Sequence, residues 1–270
     1  MKVRDALVSC GLEPREARLL LAEATGFSVA SVLAHAERDV PPQAGAMFAD
    51  WAARRRAGEP IAYLLGRREF YGLMLGVTPA VLIPRPETEL LVDRALAQLP
   101  DNDHASVADL GTGSGAVALA IKRHRPRVHV VATDGSAEAL EVARRNAARL
   151  SLAIELRHGR WFEPLAGERF DLIVSNPPYV AYNDPHLAQG DLRFEPRAAL
   201  VAGPDGLEAL RDIVGGSAPH LRPGGWLLLE HGLGQDVPVR ELLDHAGFEG
   251  IYSWPDLAGI ARVTGGKLKS

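Results

Sequence analysis

The stretch Asp109-Leu110-Gly111-Thr112-Gly113-Ser114-Gly115 decides the fold of this chain, because it joins a predicted strand to a predicted helix. The strand is predicted over residues 106–110 and the helix over residues 117–124, both from apolar runs. Glycines at such a turn permit a tight bend and let the backbone approach a ligand closely. Asp134 follows the next predicted strand, where an acidic side chain can accept hydrogen bonds from ribose hydroxyls. A nucleotide-type ligand is therefore favoured over a glycine turn that serves packing alone.

The spacing of these glycines also discriminates between cofactors. Dinucleotide-binding loops have the pattern Gly-x-Gly-x-x-Gly, because their pyrophosphate sits at the helix N-terminus. Here the pattern is Gly-x-Gly-x-Gly, and Asp109 precedes it. An acidic residue before the glycines suits a ligand without phosphate, since it can pair with a ligand amine or hold the loop. The spacing favours S-adenosyl-L-methionine over a nicotinamide dinucleotide.

Alternating strands and helices continue on both sides of this loop, which is typical of a mostly parallel sheet. The remaining strands are predicted at residues 128–133, 153–156, 170–175 and 225–230, with weaker ones near 250–253 and 260–264. The remaining helices are predicted at residues 86–99, 137–150, 207–218 and 237–246. The weak C-terminal strands fit a hairpin at the edge of a doubly wound sheet.

The chain before this sheet is expected to be organised differently. Residues from about 2 to 65 have helical patterns, and Gly26 and Ser28 mark a helix end and a helix start. Arg54-Arg55-Arg56 complement the C-terminus of a predicted helix, and a contact surface for an acidic partner is the alternative. Residues 70–73 and 77–83 contain strand formers and predict a hairpin. The predicted domains are therefore a helical domain at 1–66, a hairpin linker at 67–84 and a sheet domain at 85–270.

A stiff corner is predicted directly after the strand at residues 170–175. Asn176-Pro177-Pro178-Tyr179 must end that strand, because neither proline can donate to a ladder. Open α/β sheets place their ligands at the carboxyl ends of such strands. Asn176 and the proline carbonyls offer acceptors, and Tyr179 offers a flat face. This set suits a planar NH2 group, although a four-residue motif can also be only a turn.

Composition excludes several classes of protein. The chain has 270 residues, a formal charge of −4 and 24% charged residues, which gives no general attraction to nucleic acid or anionic membrane. Cys10 is the one cysteine, so no disulfide framework or thiolate metal cluster is expected, and the histidine spacing predicts no metal site. The N-terminus lacks an apolar segment of signal-peptide length, and no run is long enough to span a membrane. A cytoplasmic protein is expected.

These motifs together resemble those of the class I S-adenosylmethionine-dependent methyltransferases, and the wider match is to the HemK/PrmC family. That family contains the peptide chain release factor N5-glutamine methyltransferases. The resemblance covers nearly the whole chain and is carried by Arg68-Glu69-Phe70, Ile83-Pro84-Arg85-Pro86-Glu87-Thr88-Glu89, Ser175 to Tyr179, Arg193-Phe194-Glu195-Pro196 and Leu229-Glu230-His231-Gly232. It implies a Rossmann-like α/β fold with a mostly parallel seven-stranded sheet and a small N-terminal helical domain.

The resemblance also implies roles for particular residues. The cofactor would be contacted by Gly111, Thr112, Gly113, Ser114, Gly115, Asp134, Trp161 and Asn176. The acceptor would be held by Asn176, Pro177, Pro178 and Tyr179, of which Asn176, Pro177 and Tyr179 are the expected catalytic residues. Relatives usually carry an acidic residue before the tryptophan, whereas this chain has Arg160, which removes a carboxylate contact to the adenine amine.

The function implied is methylation of the glutamine in the Gly-Gly-Gln motif of class-1 peptide chain release factors. The methyl donor would be S-adenosyl-L-methionine and the product S-adenosyl-L-homocysteine. The helical domain would dock the release factor, and a monomer without direct nucleic-acid contact is expected. The main alternative is an exocyclic amino-group methyltransferase of DNA or RNA, which needs a basic face and an exposed base. A cofactor-binding protein without activity is less favoured, because the Asn-Pro-Pro-Tyr corner is intact.

Overall fold

A computed structural model describes residues 1–99 and 104–269. Their contacts divide into two compact units. The first contains Met1–Arg67 together with Ala188–Phe194, and the second contains Arg68–Leu187 and the described chain from Glu195 onward. Along the described residues no helix is both long and apolar enough to cross a membrane.

The first unit is helical and has its own apolar core. Its helices are α1 (Val3–Ser9), α2 (Pro14–Thr25), α3 (Val29–Ala34), α4 (Pro42–Arg56) and α5 (Ile61–Leu65). Gly26 ends α2 in a left-handed conformation, and the Ser28 hydroxyl caps α3 by accepting from Ser31 N. Leu20, Leu21 and Phe48 are buried in the core of this unit.

The basic end of α4 is engaged inside the first unit. Arg54 pairs with Glu59, with Nη2 2.6 Å from Oε1. Arg55 pairs with Glu16 at 2.8 Å and with Asp191 at 2.9 Å. Ion pairs, rather than an acidic partner or helix capping alone, therefore account for these two arginines.

The second unit begins with a hairpin and continues as an α/β sheet. The hairpin pairs β1 (Arg67–Phe70) with β2 (Leu73–Gly76). Residues 77–83 were predicted to contribute to the hairpin, but they form no strand. A turn from Thr78 to Val81 contains Pro79, whose fixed φ and missing N–H oppose strand pairing.

Seven strands form the main sheet, in the spatial order β5-β4-β3-β6-β7-β9-β8. The strands are β3 (Ser106–Leu110), β4 (His129–Asp134), β5 (Glu155–His158), β6 (Phe170–Ser175), β7 (Leu221–Glu230), β8 (Phe248–Pro255) and β9 (Ala261–Leu268). The helices between them are α6 (Glu89–Gln98), α7 (Ala116–His124), α8 (Ala137–Leu150), α9 (Glu208–Ser217) and α10 (Asp236–His245). Strands β3 to β7 pair in parallel, whereas β9 runs antiparallel to β7 and β8.

The apolar strands bury both faces of the sheet. On β6, Leu172 and Val174 belong to one core cluster, while Ile173 between them belongs to the other. Successive side chains of a strand point to opposite faces, so a continuous apolar run predicts burial on both. The predicted class of fold, a mostly parallel seven-stranded sheet with helices and a helical N-terminal region, is confirmed.

Candidate active site

A cavity of about 730 Å³ opens at the carboxyl ends of β3, β4 and β6, within the second unit. Ligands bind at this edge in open α/β sheets. Six predicted cofactor residues line the cavity besides Asn176, namely Gly111, Thr112, Gly113, Ser114, Asp134 and Trp161. The predicted cofactor residue Gly115 is buried at the start of α7 and is not part of the wall.

The loop after β3 takes its shape from glycines that no other residue could replace without strain. Gly111 has φ +71°, and a Cβ there would lie 3.2 Å from Cζ3 of Trp161. Gly115 has φ +82°, and its Cβ would lie 3.3 Å from Cβ of Ala143 in α8. The backbone N–H groups of Gly111 and Thr112 both donate to Thr133 O at 2.9 Å. The loop is therefore held against the end of β4.

Asp109 holds this loop from inside. It is buried, and its Oδ2 accepts from the Thr112 hydroxyl at 2.6 Å and from Ala118 N at 3.1 Å. Burial raises the pKa of Asp109 to about 6, against the lowering effect of these hydrogen bonds. Of the two roles that the sequence left open, these contacts support the loop-holding role.

Asp134 connects the loop to the start of α8. Its Oδ2 accepts from Gly113 N and its Oδ1 accepts from Ser136 N, each at 2.8 Å. Burial raises the pKa of Asp134, and the two backbone donors oppose that shift. Each carboxylate oxygen retains a second acceptor site, since an ionised carboxylate has about four.

Trp161 packs its ring on Gly111 and has an unusual backbone conformation. Its φ is +48°, and its carbonyl accepts from the Thr133 hydroxyl at 3.1 Å. The indole Nε1 is buried without a hydrogen-bond partner among the described residues. Arg160 also lines the cavity, but it pairs with Asp212 of α9 at 2.6 Å.

The corner after β6 brings the four predicted acceptor residues to the same edge, but only two of them reach the cavity. Asn176 and Pro178 are on its wall, while Pro177 is buried and Tyr179 is half-buried beside it. The Tyr179 hydroxyl donates to Glu230 Oε1 at 3.3 Å. Burial first, and then the Glu230 charge, raise the pKa of Tyr179. The phenol is therefore a neutral donor at ordinary pH.

Asn176 presents its amide with a defined polarity. Its Nδ2 donates to the Thr88 hydroxyl at 3.1 Å. Its Oδ1 has no hydrogen-bond partner among the described residues, and the side chain borders the cavity. An acceptor is therefore available at the end of β6.

Three further residues support this corner without having been assigned a role from the sequence. Thr88 and Glu230 contact Asn176 and Tyr179, and the Gln235 amide donates to Tyr179 O at 3.0 Å. Glu230 ends a buried strand, which is an unusual place for a carboxylate and was the one visible signal in the sequence. Nothing local to Thr88 or Gln235 distinguishes them from capping residues.

Burial of Glu230 predicts a pH-dependent stability. Burial raises its pKa from 4.5 to about 7, so the folded chain holds this proton more tightly than the unfolded chain. The stabilising contribution is fully present below about pH 4.5 and is lost as the pH rises through about 7. Glu230→Gln lacks this titration. The free energy of unfolding of the variant minus that of wild type should therefore be about 2 kcal/mol larger at pH 8 than at pH 5.

Urea unfolding of both proteins at the two pH values measures this gain. Glu249→Gln, at an exposed glutamate of β8, is the control and should track wild type. A difference between Glu230→Gln and wild type that stays constant with pH would show that Glu230 does not titrate in this way.

The order of strands, the glycine loop and the cavity at the carboxyl ends define a class I methyltransferase. The fold is similar to that of the 16S rRNA N2 G1207 methyltransferase of T. thermophilus, solved in complex with AdoMet and guanosine. The TM-score is 0.57 at 20% identity, covering 87% of this chain and 54% of that one.

Comparison of sequences then gives the family. A family model described as "PrmC N-terminal domain" matches residues 2–66, and one described as "Methyltransferase small domain" matches residues 87–192. A release factor glutamine methyltransferase of Xylella fastidiosa is 51% identical over 95% of this chain and 94% of its own. Another, of Bordetella pertussis, is 51% identical over 98% of this chain and 99% of its own. The chain belongs to the release factor glutamine methyltransferase family, as the sequence motifs predicted.

Proposed function

We propose that this enzyme transfers a methyl group from S-adenosyl-L-methionine to the side-chain amide nitrogen, N5, of the glutamine in the Gly-Gly-Gln motif of class-1 peptide chain release factors. The observation that carries the proposal is the unpartnered Asn176 Oδ1 at the edge of the glycine-loop cavity. Relatives that match nearly the whole of this chain bear the name release factor glutamine methyltransferase. The enzyme would act in the cytoplasm, as a monomer, on a protein substrate.

The residues around the cavity fit this cofactor. A volume of about 730 Å³ lies in the range of small-molecule sites. A Cβ at Gly113 would meet nothing within 4 Å, so the loop has open space beside it. Asp134 has acceptor sites left for ribose hydroxyls, and the Trp161 ring offers an apolar face. When bound, the cofactor would supply the methyl group from its sulfonium sulfur and leave as S-adenosyl-L-homocysteine, while the methylated nitrogen would lose one proton to solvent.

The acceptor amide needs help, because its nitrogen lone pair is delocalised into the carbonyl. Asn176 Oδ1 and the Pro177 carbonyl would accept the two N–H hydrogens of the substrate. These hydrogen bonds strengthen as positive charge grows on nitrogen, so they favour the transition state over the ground state. Tyr179 would pack on the plane of the amide and fix its approach.

At residue 160 the family resemblance implies an acidic residue, whereas this chain has Arg160. An arginine can accept nothing from an adenine amine, and Arg160 is held by Asp212. Adenine recognition in this proposal therefore rests on the Trp161 ring and on backbone groups, rather than on a side-chain carboxylate at residue 160.

Mass spectrometry tests the substrate. A purified class-1 release factor, incubated with the enzyme and S-adenosyl-L-methionine carrying an isotopically labelled methyl group, should gain one methyl group on the motif glutamine. A release factor with that glutamine replaced by asparagine is the control and should stay unlabelled. Label incorporated into DNA or RNA instead of the release factor would favour the exocyclic amino-group alternative.

Asp134→Ala should weaken cofactor binding. The loss of a charged acceptor for ribose hydroxyls is expected to cost about 1–3 kcal/mol in the free energy of binding. Calorimetry with S-adenosyl-L-homocysteine measures this, and Asp244→Ala serves as the control because it removes an exposed carboxylate of α10 that is not on the cavity wall. Equal affinities of wild type and Asp134→Ala would remove Asp134 from the cofactor site.

A further inference from the structure

Thr88 precedes α6 but does not cap it. It ends a 3-10 turn, Pro86–Thr88, that leads into α6, and its backbone is helical rather than extended as in a capping threonine. Here no side-chain cap bond is made. The residue is only 4% exposed, and its hydroxyl accepts from Asn176 Nδ2 at 3.1 Å. The hydroxyl is therefore committed to the active-site corner instead of to its own helix.

Glu230 is a second buried polar residue near Thr88. Burial raises the pKa of its carboxyl, and the nearby Thr88 hydroxyl partly opposes that shift. Oε1 accepts from the Tyr179 hydroxyl, while Oε2 is buried without a hydrogen bond of normal geometry. Among the described residues no cation pairs with Glu230. The nearby Arg262 pairs with Asp256 instead, at 3.1 Å. A buried carboxylate without a cation is costly, so packing alone does not explain it.

The hydrogen-bond capacities of these groups set a direction. Above about pH 7, where Glu230 is ionised, its carboxylate only accepts, whereas a hydroxyl has one hydrogen and can also accept. The Thr88 oxygen accepts from Asn176 Nδ2 at 3.1 Å, which leaves the Thr88 hydrogen to point toward the carboxylate. The Asn176 NH2 must then face Thr88, and Oδ1 must face the cavity. The Tyr179 hydroxyl is fixed by the same carboxylate, so one group orients both acceptor residues.

We infer that Thr88 and Glu230 are positioning residues, which hold the Asn176 amide so that its oxygen, and not its NH2, meets the acceptor nitrogen. This inference rests on the proposed function, because it assigns a task to Asn176 in methyl transfer. An Asn176 amide turned round would place an NH2 group against the substrate NH2. Two donors would then face each other, and the transition state would lose its acceptor.

Thr88→Val and Thr88→Ser test the hydroxyl. Valine keeps the shape of threonine and removes the hydroxyl, while serine keeps the hydroxyl. In steady-state assays with a release factor, Thr88→Val should lower kcat roughly 10-fold, as expected for one oriented hydrogen bond. KM and the affinity for S-adenosyl-L-homocysteine should change less than about threefold. Thr88→Ser should restore most of the rate.

Ser217→Ala is the matched control. Ser217 is buried like Thr88, but within residues 1–99 and 104–269 its hydroxyl donates only to Val214 O, at 2.8 Å in α9. Its kcat should stay close to that of wild type. Equal losses in Thr88→Val and Ser217→Ala, or a Thr88→Ser variant as slow as Thr88→Val, would overturn the inference.

A double-mutant cycle ties the effect to Asn176. If Thr88 acts through Asn176, Thr88→Val should lower kcat by less than about twofold when it is added to Asn176→Ala. Independent, multiplying losses would overturn the inference. Glu230→Gln is a second way to disturb the Asn176 amide. A glutamine NH2 can donate to the Thr88 oxygen, so the Thr88 hydroxyl could then donate to Asn176 Oδ1 and the amide could turn round. It should lower kcat while the folded protein stays at least as stable as wild type at pH 8.

The outcomes separate this inference from the proposed function. A full rate in Asn176→Ala would remove the acceptor role and the proposed mechanism with it. A loss in Asn176→Ala together with wild-type rates in Thr88→Val and Glu230→Gln would leave the proposed function standing and overturn the positioning role alone.

Discussion

Asn176→Ala will lower the rate of methyl transfer by about 10²-fold or more, the usual cost of removing one oriented electrostatic partner of a transition state. The amide oxygen borders the cavity and has no other partner in the described part of the chain. Its removal leaves one N–H of the substrate amide without a hydrogen-bond acceptor when positive charge grows on the nitrogen. Cofactor binding should suffer much less than turnover, because the glycine loop and Asp134 do not depend on this side chain.

Single-turnover rates at saturating release factor and cofactor isolate this step from substrate binding. Asn183→Ala is a matched control, since it makes the same truncation at an exposed asparagine a few residues further along the chain. A single-turnover rate for Asn176→Ala near that of wild type would show that Asn176 does not hold the acceptor.

The central strands were predictable because their apolar runs decide them locally. β3 and β6 form at the predicted residues, and both are paired on two sides. The edge strand was less so: β5 was predicted at residues 153–156 but forms at Glu155–His158. Its position is set by pairing with Val131 to Asp134 of β4, which its own partly exposed side chains do not reveal.

The predicted start of β7 was wrong because of Pro223-Gly224-Gly225, three residues that are unfavourable in strands. The strand was predicted from residue 225, but it begins at Leu221, which pairs with Phe170. A register shift between Phe170 and Leu172 accommodates the glycines and the proline. Proline and glycine are evidence against a strand in sequence, yet they are tolerated where the ladder is already irregular.

The candidate site was predictable where it is built from contiguous motifs. The glycine loop and the Asn-Pro-Pro-Tyr corner follow β3 and β6, which are parallel neighbours in the sheet and end at the same edge, so the strand order brings the two motifs together. Thr88 and Asn176 are 88 residues apart, and Tyr179 and Glu230 are 51 apart. Contacts of this kind depend on side-chain packing across elements, which no local pattern encodes.

Recognition of the release factor is expected to need the helical first unit. A glutamine side chain is small and common, so selection of one glutamine in one protein requires contacts beyond the pocket. The second unit contains the whole cavity and the acceptor corner. The first unit has its own apolar core and contributes nothing to the cavity wall. We therefore propose that the first unit docks the release factor while the glutamine loop of the release factor reaches Asn176.

A variant that begins at Arg68 tests this proposal. It loses the five N-terminal helices, and Asp191 in the segment Ala188–Phe194 loses its partner Arg55. Its fold must be checked first by urea unfolding and by the affinity for S-adenosyl-L-homocysteine, which should be that of the full chain. With intact release factor, kcat/KM should fall by about 10²-fold, a loss typical of removing the anchor residues of an interface.

The sharper comparison uses two substrates with the same enzyme pair. A short peptide that contains the Gly-Gly-Gln motif offers the glutamine but not the surrounding surface of the release factor. The deletion should therefore change kcat/KM for the peptide by less than about threefold, while the preference for intact release factor over peptide disappears. A loss of equal size on both substrates would mean that the deletion damages the catalytic unit. A folded deletion variant with full efficiency on intact release factor would place the docking surface in the second unit, since the residues that remain would then supply all the selectivity.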